Sequence, residues 1–245
     1  MAGALRAEWT KLRTVSGTAW LLLASVAVTV GISAVAAATS CPDGGCAADV
    51  GTLSLSGVRV GQLLVAVLAV VAVSNEYGTG MIRTSLAAVP RRWGLLVAKS
   101  VVVAAAVLAA AAVAVVGSLL AAWPALPDPH LSAALVRAAV GSVLYLVLIG
   151  LLSLGVALVV RDSATSIGAV LGLLFLVPIL ASTMSNPDWH RHLMQISPMT
   201  AGLAVQETAG LAGRPIGPLA GLAVLAAWSA GALLLGAVLL QRRDA

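Results

Sequence analysis

Four short groups of residues have side chains that do chemistry in other settings. Asp188, His190 and His192 offer metal-ligating groups. Two histidines at i and i+2 share a face only on extended backbone, so a metal role requires a strand there. A polar external loop accounts for all three without a metal. Gly150-Leu-Leu-Ser153-Leu-Gly155 has the small flanking residues of a nucleophilic serine. Its spacing is one residue too long for the nucleophile elbow, and no histidine is near it in sequence. Lys99-Ser100 is the only lysine followed by Ser or Thr, but Trp93 and Ala98 occupy the glycine positions of a phosphate-binding loop. Cys41 and Cys46, the only cysteines, flank Pro-Asp-Gly-Gly. Two thiols are too few for a metal site, so they form a disulfide in an oxidising exterior or remain reduced thiols in the cytosol. The expectation is a chain with no catalytic, cofactor or metal residues of its own and no enzymatic activity.

The elements that carry these residues are membrane helices. Of 245 residues, 60% are hydrophobic and 9% charged, with a mean hydropathy of +1.05, which excludes an ordinary water-soluble domain. Several apolar runs reach the roughly 20 residues needed to cross a hydrocarbon core, and ~10-residue alternating segments of a β-barrel are missing. The fold class expected is all-α and polytopic. A single transmembrane domain fills residues 1–245, with spans at about 19–39, 57–74, 95–122, 133–160, 164–183 and 219–240. The net charge of +5 is scattered at span ends, where membrane orientation explains it, so nucleic acid is not an expected partner.

Between these spans the chain is informative in three places. Leu5, Trp9 and Leu12 recur at i, i+4 and i+7 among Arg6, Glu8, Lys11 and Arg13, predicting an interfacial amphipathic helix. In residues 75–99, Ile82, Leu86 and Val89 recur at helical spacing among Glu76, Arg83, Arg91, Arg92 and Lys99. This predicts a short surface helix capped by Asn75 and stopped by Pro90. Residues 184–218 are too polar for a span, and Pro198–Leu211 predicts a helix dipping into the outer leaflet. Pro178 predicts a kink in span five.

Charge gives the orientation. Arg6, Lys11, Arg13, Arg83, Arg91, Arg92, Lys99, Arg161, Arg242 and Arg243 fall on one side of this topology, against Arg59, Arg137, Arg191 and Arg214 on the other. Lys and Arg concentrate on cytoplasmic loops, so both chain ends are expected in the cytoplasm and the Cys41–Cys46 loop outside. No Asp, Glu, Lys or His lies near the middle of a span, which counts against an ion-coupled carrier. Ser25, Thr29, Ser33, Ser118, Ser142, Ser153 and Ser166 read as helix-packing contacts.

The series Glu76, Gly78, Thr79, Met81, Arg83, Leu86, Pro90, Arg92 and Lys99 resembles the first cytoplasmic loop of ABC-2-type permease subunits, the membrane half of a class of ATP-binding-cassette exporters. The likeness extends to Glu8, Lys11, Leu12 and Arg13, to Pro178 and to the Arg242-Arg243 tail. It implies a plasma-membrane, multi-pass exporter subunit that pairs with a second permease copy or paralogue and with a separate ATPase, which binds the ATP. The loop would be the coupling helix, with Glu76, Tyr77, Thr79, Arg83, Leu86, Arg91 and Arg92 coupling to that ATPase. It also implies a pair of short external helices between spans five and six. Other readings of the same residues are a non-transporting scaffold or sensor that recruits a cytoplasmic partner, and a secondary transporter.

Overall fold

A computed structural model describes residues 2–41, 49–81, 92–125, 132–184, 186–209 and 215–242. The elements are α1 (Ala2–Thr14), α2 (Ser16–Ser40), α3 (Val50–Ser54), α4 (Val58–Gly78), α5 (Arg92–Ala122), α6 (Ala133–Val160), α7 (Ser163–Leu171), α8 (Val177–Ser182), α9 (Pro187–Ile196), α10 (Pro198–Leu203) and α11 (Pro218–Arg242). No strand occurs among the described residues. Six helical stretches are long and apolar enough to cross a membrane: α2, α4, α5 with its terminal turn, α6, α7 with α8, and α11. The chain is an all-α polytopic membrane protein.

Two of the six are inner helices. The most apolar stretches of α4 and α6 are each 56% buried, against 22% for α2, α7–α8 and α11, so α4 and α6 form the core that the others surround. Leu68, Val65, Tyr145, Ile149 and Leu152 fill the space between them. Outer faces keep their leucines and valines exposed, as expected where the solvent is lipid. Because lipid is as apolar as Leu, close contact and shape hold such helices together. The α2–α4 seam shows this. A Cβ added at Gly57 or Gly61 would overlap Thr29, and the Gly57 N–H donates to Ser33 Oγ at 3.0 Å. At the α6–α11 seam a Cβ on Gly155 would lie 2.7 Å from the backbone of Ala232. All seven small hydroxyl residues assigned to packing are buried.

Several boundaries differ from the sequence reading. Helix α4 does not end at Ser74 but runs through Asn75 and Glu76 to Gly78, so Asn75 caps no new helix. The extra turn remains helical because Glu76 points into the bundle and meets two lysines there. Only Thr79, Gly80 and Met81 follow before residues 82–91, which with the surface helix expected there lie outside the described residues. Gly80 has φ +71°, a left-handed turn that suits glycine. Helix α5 opens at Arg92, three residues before the predicted start of the third span at residue 95. The loop after α2 contains α3, capped by Asp49, which accepts from the Thr52 N–H.

Span five carries its distortion where proline demands it. Pro178 has no N–H to donate, and the turn before it, Gly172–Leu176, is a π-helical segment. Beyond α8, the short helices α9 and α10 lie between spans five and six. The second of them is shorter than the predicted Pro198–Leu211, passing into a 3-10 turn at Ala204–Gln206 and then extended backbone at Glu207.

Helix α1 is amphipathic in an unexpected sense. Trp9 is 46% exposed while Glu8 is 5% exposed, so the side turned to the bundle is led by a carboxylate. The Lys11 ammonium likewise turns to that carboxylate, at 2.8 Å.

Candidate functional site

Lys99 occupies the third turn of α5, and its Nζ donates to Glu8 Oε2 of α1 at 2.8 Å, Glu76 Oε1 of α4 at 2.9 Å and Ala72 O of α4 at 3.3 Å. Lys11 completes the group, donating to Glu8 Oε1 and Glu76 Oε1 at 2.8 Å each. Glu8, Glu76 and Lys99 are all under a tenth exposed, and the Lys11 side chain is 31% exposed. Two acids and two bases therefore cancel in charge within one buried cluster. Full neutralisation is what makes this burial tolerable, since an unpaired ion there would lose several kcal/mol of hydration. Each helix brings its member for a simple reason. Glu8 and Lys11 are three apart on one face of α1, and Ala72 and Glu76 four apart on one face of α4.

Burial raises the Glu8 pKa, but the charge of Lys99 and hydrogen bonds from Lys11 and Lys99 outweigh it and hold the carboxyl below its usual range. For Lys11, burial acts downward and is outweighed by its bonds to Glu76 and Glu8, which raise the ammonium above the ordinary lysine value. Both shifts favour the ionised cluster.

Beside the cluster is a cavity of about 560 Å³, within the range of small-molecule sites. Leu12, Val15, Val71, Ala72 and Val103 give it apolar walls, and Glu8, Lys11, Glu76 and Lys99 give it one charged wall. A second crevice of about 580 Å³ between α6, the π-helical turn and α11 is apolar throughout, lined by Leu152, Val156, Leu173 and Leu235 among others. It offers a ligand hydrocarbon contact and little else.

The same end of the bundle has a second tie. Arg161 stacks over the Tyr77 ring at 5.2 Å and donates through Nη2 to Leu239 O at 3.5 Å, joining the ends of α4, α6 and α11. Arg161 itself ends α6 in the left-handed region, φ 65°. The next residue, Asp162, caps α7 by accepting from Thr165 N at 2.8 Å, and that bond and the Thr165 hydroxyl lower its pKa.

The residues assigned by resemblance to ATPase coupling are thus divided. Glu76 and Tyr77 belong to α4, Glu76 buried in the cluster and Tyr77 partly buried against the core beneath Arg161. Thr79 is exposed, its Oγ1 bonded to Asn75 O. Arg92 opens α5. Arg83, Leu86 and Arg91 lie outside the described residues. Cys41 is disulfide-bonded, and Cys46 lies outside the described residues.

The other groups with chemical potential are held in local bonds. His190 and His192 are on helical backbone in α9, where i and i+2 diverge, and the His190 Nδ1 lies 2.8 Å from Ala181 O. No group of three His, Cys, Asp or Glu occurs among the described residues. Ser153 Oγ is buried and donates to Ile149 O at 2.7 Å. Lys99, considered for a phosphate loop, is the hub of the ion cluster.

At the far end the polar contacts are of another kind. Asp49 accepts from the backbone and hydroxyl of Thr208, tying α3 to the segment that follows the 3-10 turn after α10. Burial raises its pKa, but the bonds from Thr208 and Thr52 outweigh that and lower it. Gln206 donates to Leu55 O at 3.3 Å and Ser142 Oγ at 3.1 Å, and Arg137 to Glu207 O at 2.6 Å. Inside the core, Tyr145 donates to Gln62, which donates to Arg59 O.

Comparison with protein-family models gives no match, and comparison with curated proteins gives none.

Proposed function

We propose that the chain is the membrane-spanning permease subunit of an ATP-driven exporter of the ABC-2 type, working with a separate cytoplasmic ATPase. The observation that carries the reading is the Lys99–Glu76 ion pair. It joins the two ends of the segment whose residues resemble a coupling loop, so the base of that loop is closed at 2.9 Å. A push on the loop then cannot be absorbed by spreading of its stems. It passes to α4 and α5 together, and through Lys99–Glu8 at 2.8 Å to α1. Helix α4 is one of the two inner helices, so movement at its end reaches the core.

In this reading the end with the cluster faces the cytoplasm, as the ten-to-four distribution of Lys and Arg supports. Two copies of the chain, or one and a paralogue, would form the path, with ATP-driven closure of two ATPases switching it between inward and outward access. The membrane concerned would be the plasma membrane.

The test is co-purification with a cytoplasmic P-loop ATPase encoded beside this chain, together with ATP-driven efflux. Leu86→Asp should leave membrane insertion intact and weaken ATPase association more than tenfold, since losing one buried Leu costs roughly 1.5 to 3 kcal/mol before the added carboxylate is counted. Full association and efflux in that variant would leave residues 75–99 as a topogenic loop only, and the exporter reading would fall. In a cysteine-free background, a cysteine at Ser132 should react with an impermeant thiol reagent on intact cells and one at Ser85 should not. The reverse labelling would invert the orientation.

A further inference from the structure

Among Lys99 and the two carboxylates of the ion cluster, every donor and acceptor atom but one has a partner. All three Lys99 donors are used, on Glu8, Glu76 and Ala72. Both oxygens of Glu8 accept from lysines. Glu76 accepts both lysines on Oε1, and its Oε2 is buried with no partner among the described residues. Glu76 is 6% exposed and lines the cavity of about 560 Å³. A buried carboxylate oxygen left without a donor is costly, and a ligand in the cavity that supplies one is favoured by that amount.

Three features narrow the ligand. The unpartnered atom is an acceptor on an anion, so the complementary group is a cationic donor. The cluster is already neutral, so a ligand that brings a cation must also bring an anion or leave a net charge in a low-dielectric site. Lys11, the member nearest solvent with a 31% exposed side chain, adds positive charge for that anion on the same wall. Leu12, Val71, Ala72 and Val103 add apolar wall beside the polar rim of Thr14, Thr18, Asn75 and Thr79, at the start of a membrane-spanning bundle.

We infer that this cavity binds a zwitterionic phospholipid with a primary ammonium headgroup, phosphatidylethanolamine, with its ammonium on Glu76 Oε2, its phosphate toward Lys11 and the start of its acyl chains along Val71 and Val103. The site is built by α1, α2, α4 and α5 and does not depend on the exporter reading. The choice among lipids follows from the same chemistry. Phosphatidylcholine has the same charges and no N–H, while phosphatidylglycerol brings a negative charge to a neutral cluster.

The test uses the delipidated full-length chain in detergent, titrated with phosphatidylethanolamine, phosphatidylcholine or phosphatidylglycerol of equal chain length and read by native mass spectrometry. Phosphatidylethanolamine should bind about tenfold or more tightly than the other two, the worth of a charge-assisted hydrogen bond. Glu76→Gln places an amide where the acceptor was and should bring its affinity down to that of phosphatidylcholine. Val71→Phe fills the cavity while leaving all four charges in place, and should remove the bound lipid even if Glu76→Gln fails to fold. Soluble phosphoethanolamine should not compete, because it lacks the acyl part. Equal binding of the three lipids, undiminished binding in Val71→Phe, or competition by phosphoethanolamine at the lipid's own concentration would each overturn the assignment.

Discussion

At one end of the bundle Glu8, Lys11, Glu76 and Lys99 bond side chain to side chain, charge to opposite charge, across three helices. At the other end Gln206 and Arg137 reach backbone carbonyls, and Asp49 takes a backbone N–H and a hydroxyl. The first arrangement is all or nothing: its members are tolerable in a buried place only together. The second is a sum of separate bonds to neutral partners. On the exporter reading, a stroke that begins at one end and is sealed at the other has use for both kinds. The ionic end would then transmit displacement as a unit, and the opposite end would exchange its bonds one by one.

Breaking the ionic end should therefore cost most. Lys99→Met strands two carboxylates on Lys11 alone and should destabilise the fold by about 3 to 5 kcal/mol, seen as loss of monodisperse protein in detergent. The double variant Glu8→Leu/Lys99→Met leaves a Lys11–Glu76 pair and should recover most of that loss. Recovery would separate the penalty for an unpaired charge from the worth of the pair itself. At the far end Gln206→Ala should cost about 1 to 3 kcal/mol, because Ser142 Oγ loses a buried donor while Leu55 O keeps the Val58 N–H. If Gln206→Ala proved as damaging as Lys99→Met, the contrast between the ends would be wrong.

Acidity sharpens the comparison more gently. Glu8 and Asp49 both have lowered pKa values in the fold, so each contributes stability above its unfolded pKa that is lost as pH falls through its folded one. Lys11 has a raised pKa, so its contribution is complete below the unfolded lysine value and is lost as pH climbs through the folded one. Hydrogen exchange should accordingly show α1 loosening at both extremes and α3 only in acid. An alkaline limb at α3 would contradict the assignment. The smallest effect belongs to the cysteines. Replacing Cys41 and Cys46 by Ser opens a short loop worth about 2 kcal/mol at most, confined to that loop, and the unfolding temperature of the bundle should hardly move.

The membrane helices were legible because each needs only its own composition: the predicted 133–160 coincides with α6, and 164–183 and 219–240 lie close to the observed Ser163–Ser182 and Pro218–Arg242. The charged cluster was not, although Glu8, Lys11, Glu76 and Lys99 each stand out as charges at the ends of apolar runs. Periodicity assigns a residue to a face of its own helix and says nothing of which helix that face meets. By sequence Glu76 starts a surface helix, because it follows Asn75, and nothing local announces Lys99, 23 residues on. One signal was available: two acids among the basic residues of one membrane side, at the ends of apolar runs that neutralise poorly alone. The far-end contacts were illegible for the same reason, Asp49 and Thr208 being 159 residues apart.

The Glu8–Lys99 bond also has a history in each molecule. Its partners are 91 residues apart, and synthesis at about 5 to 20 residues per second separates their emergence by on the order of 10 s. Throughout that delay α2 and then α4 enter the bilayer while Glu8 has no Lys99 to meet. The nascent α1 must therefore wait at the water-exposed surface, where hydration serves its carboxylate. It can dock only once the third span delivers its lysine, which makes the amino-terminal helix one of the first segments made and one of the later ones to find its place.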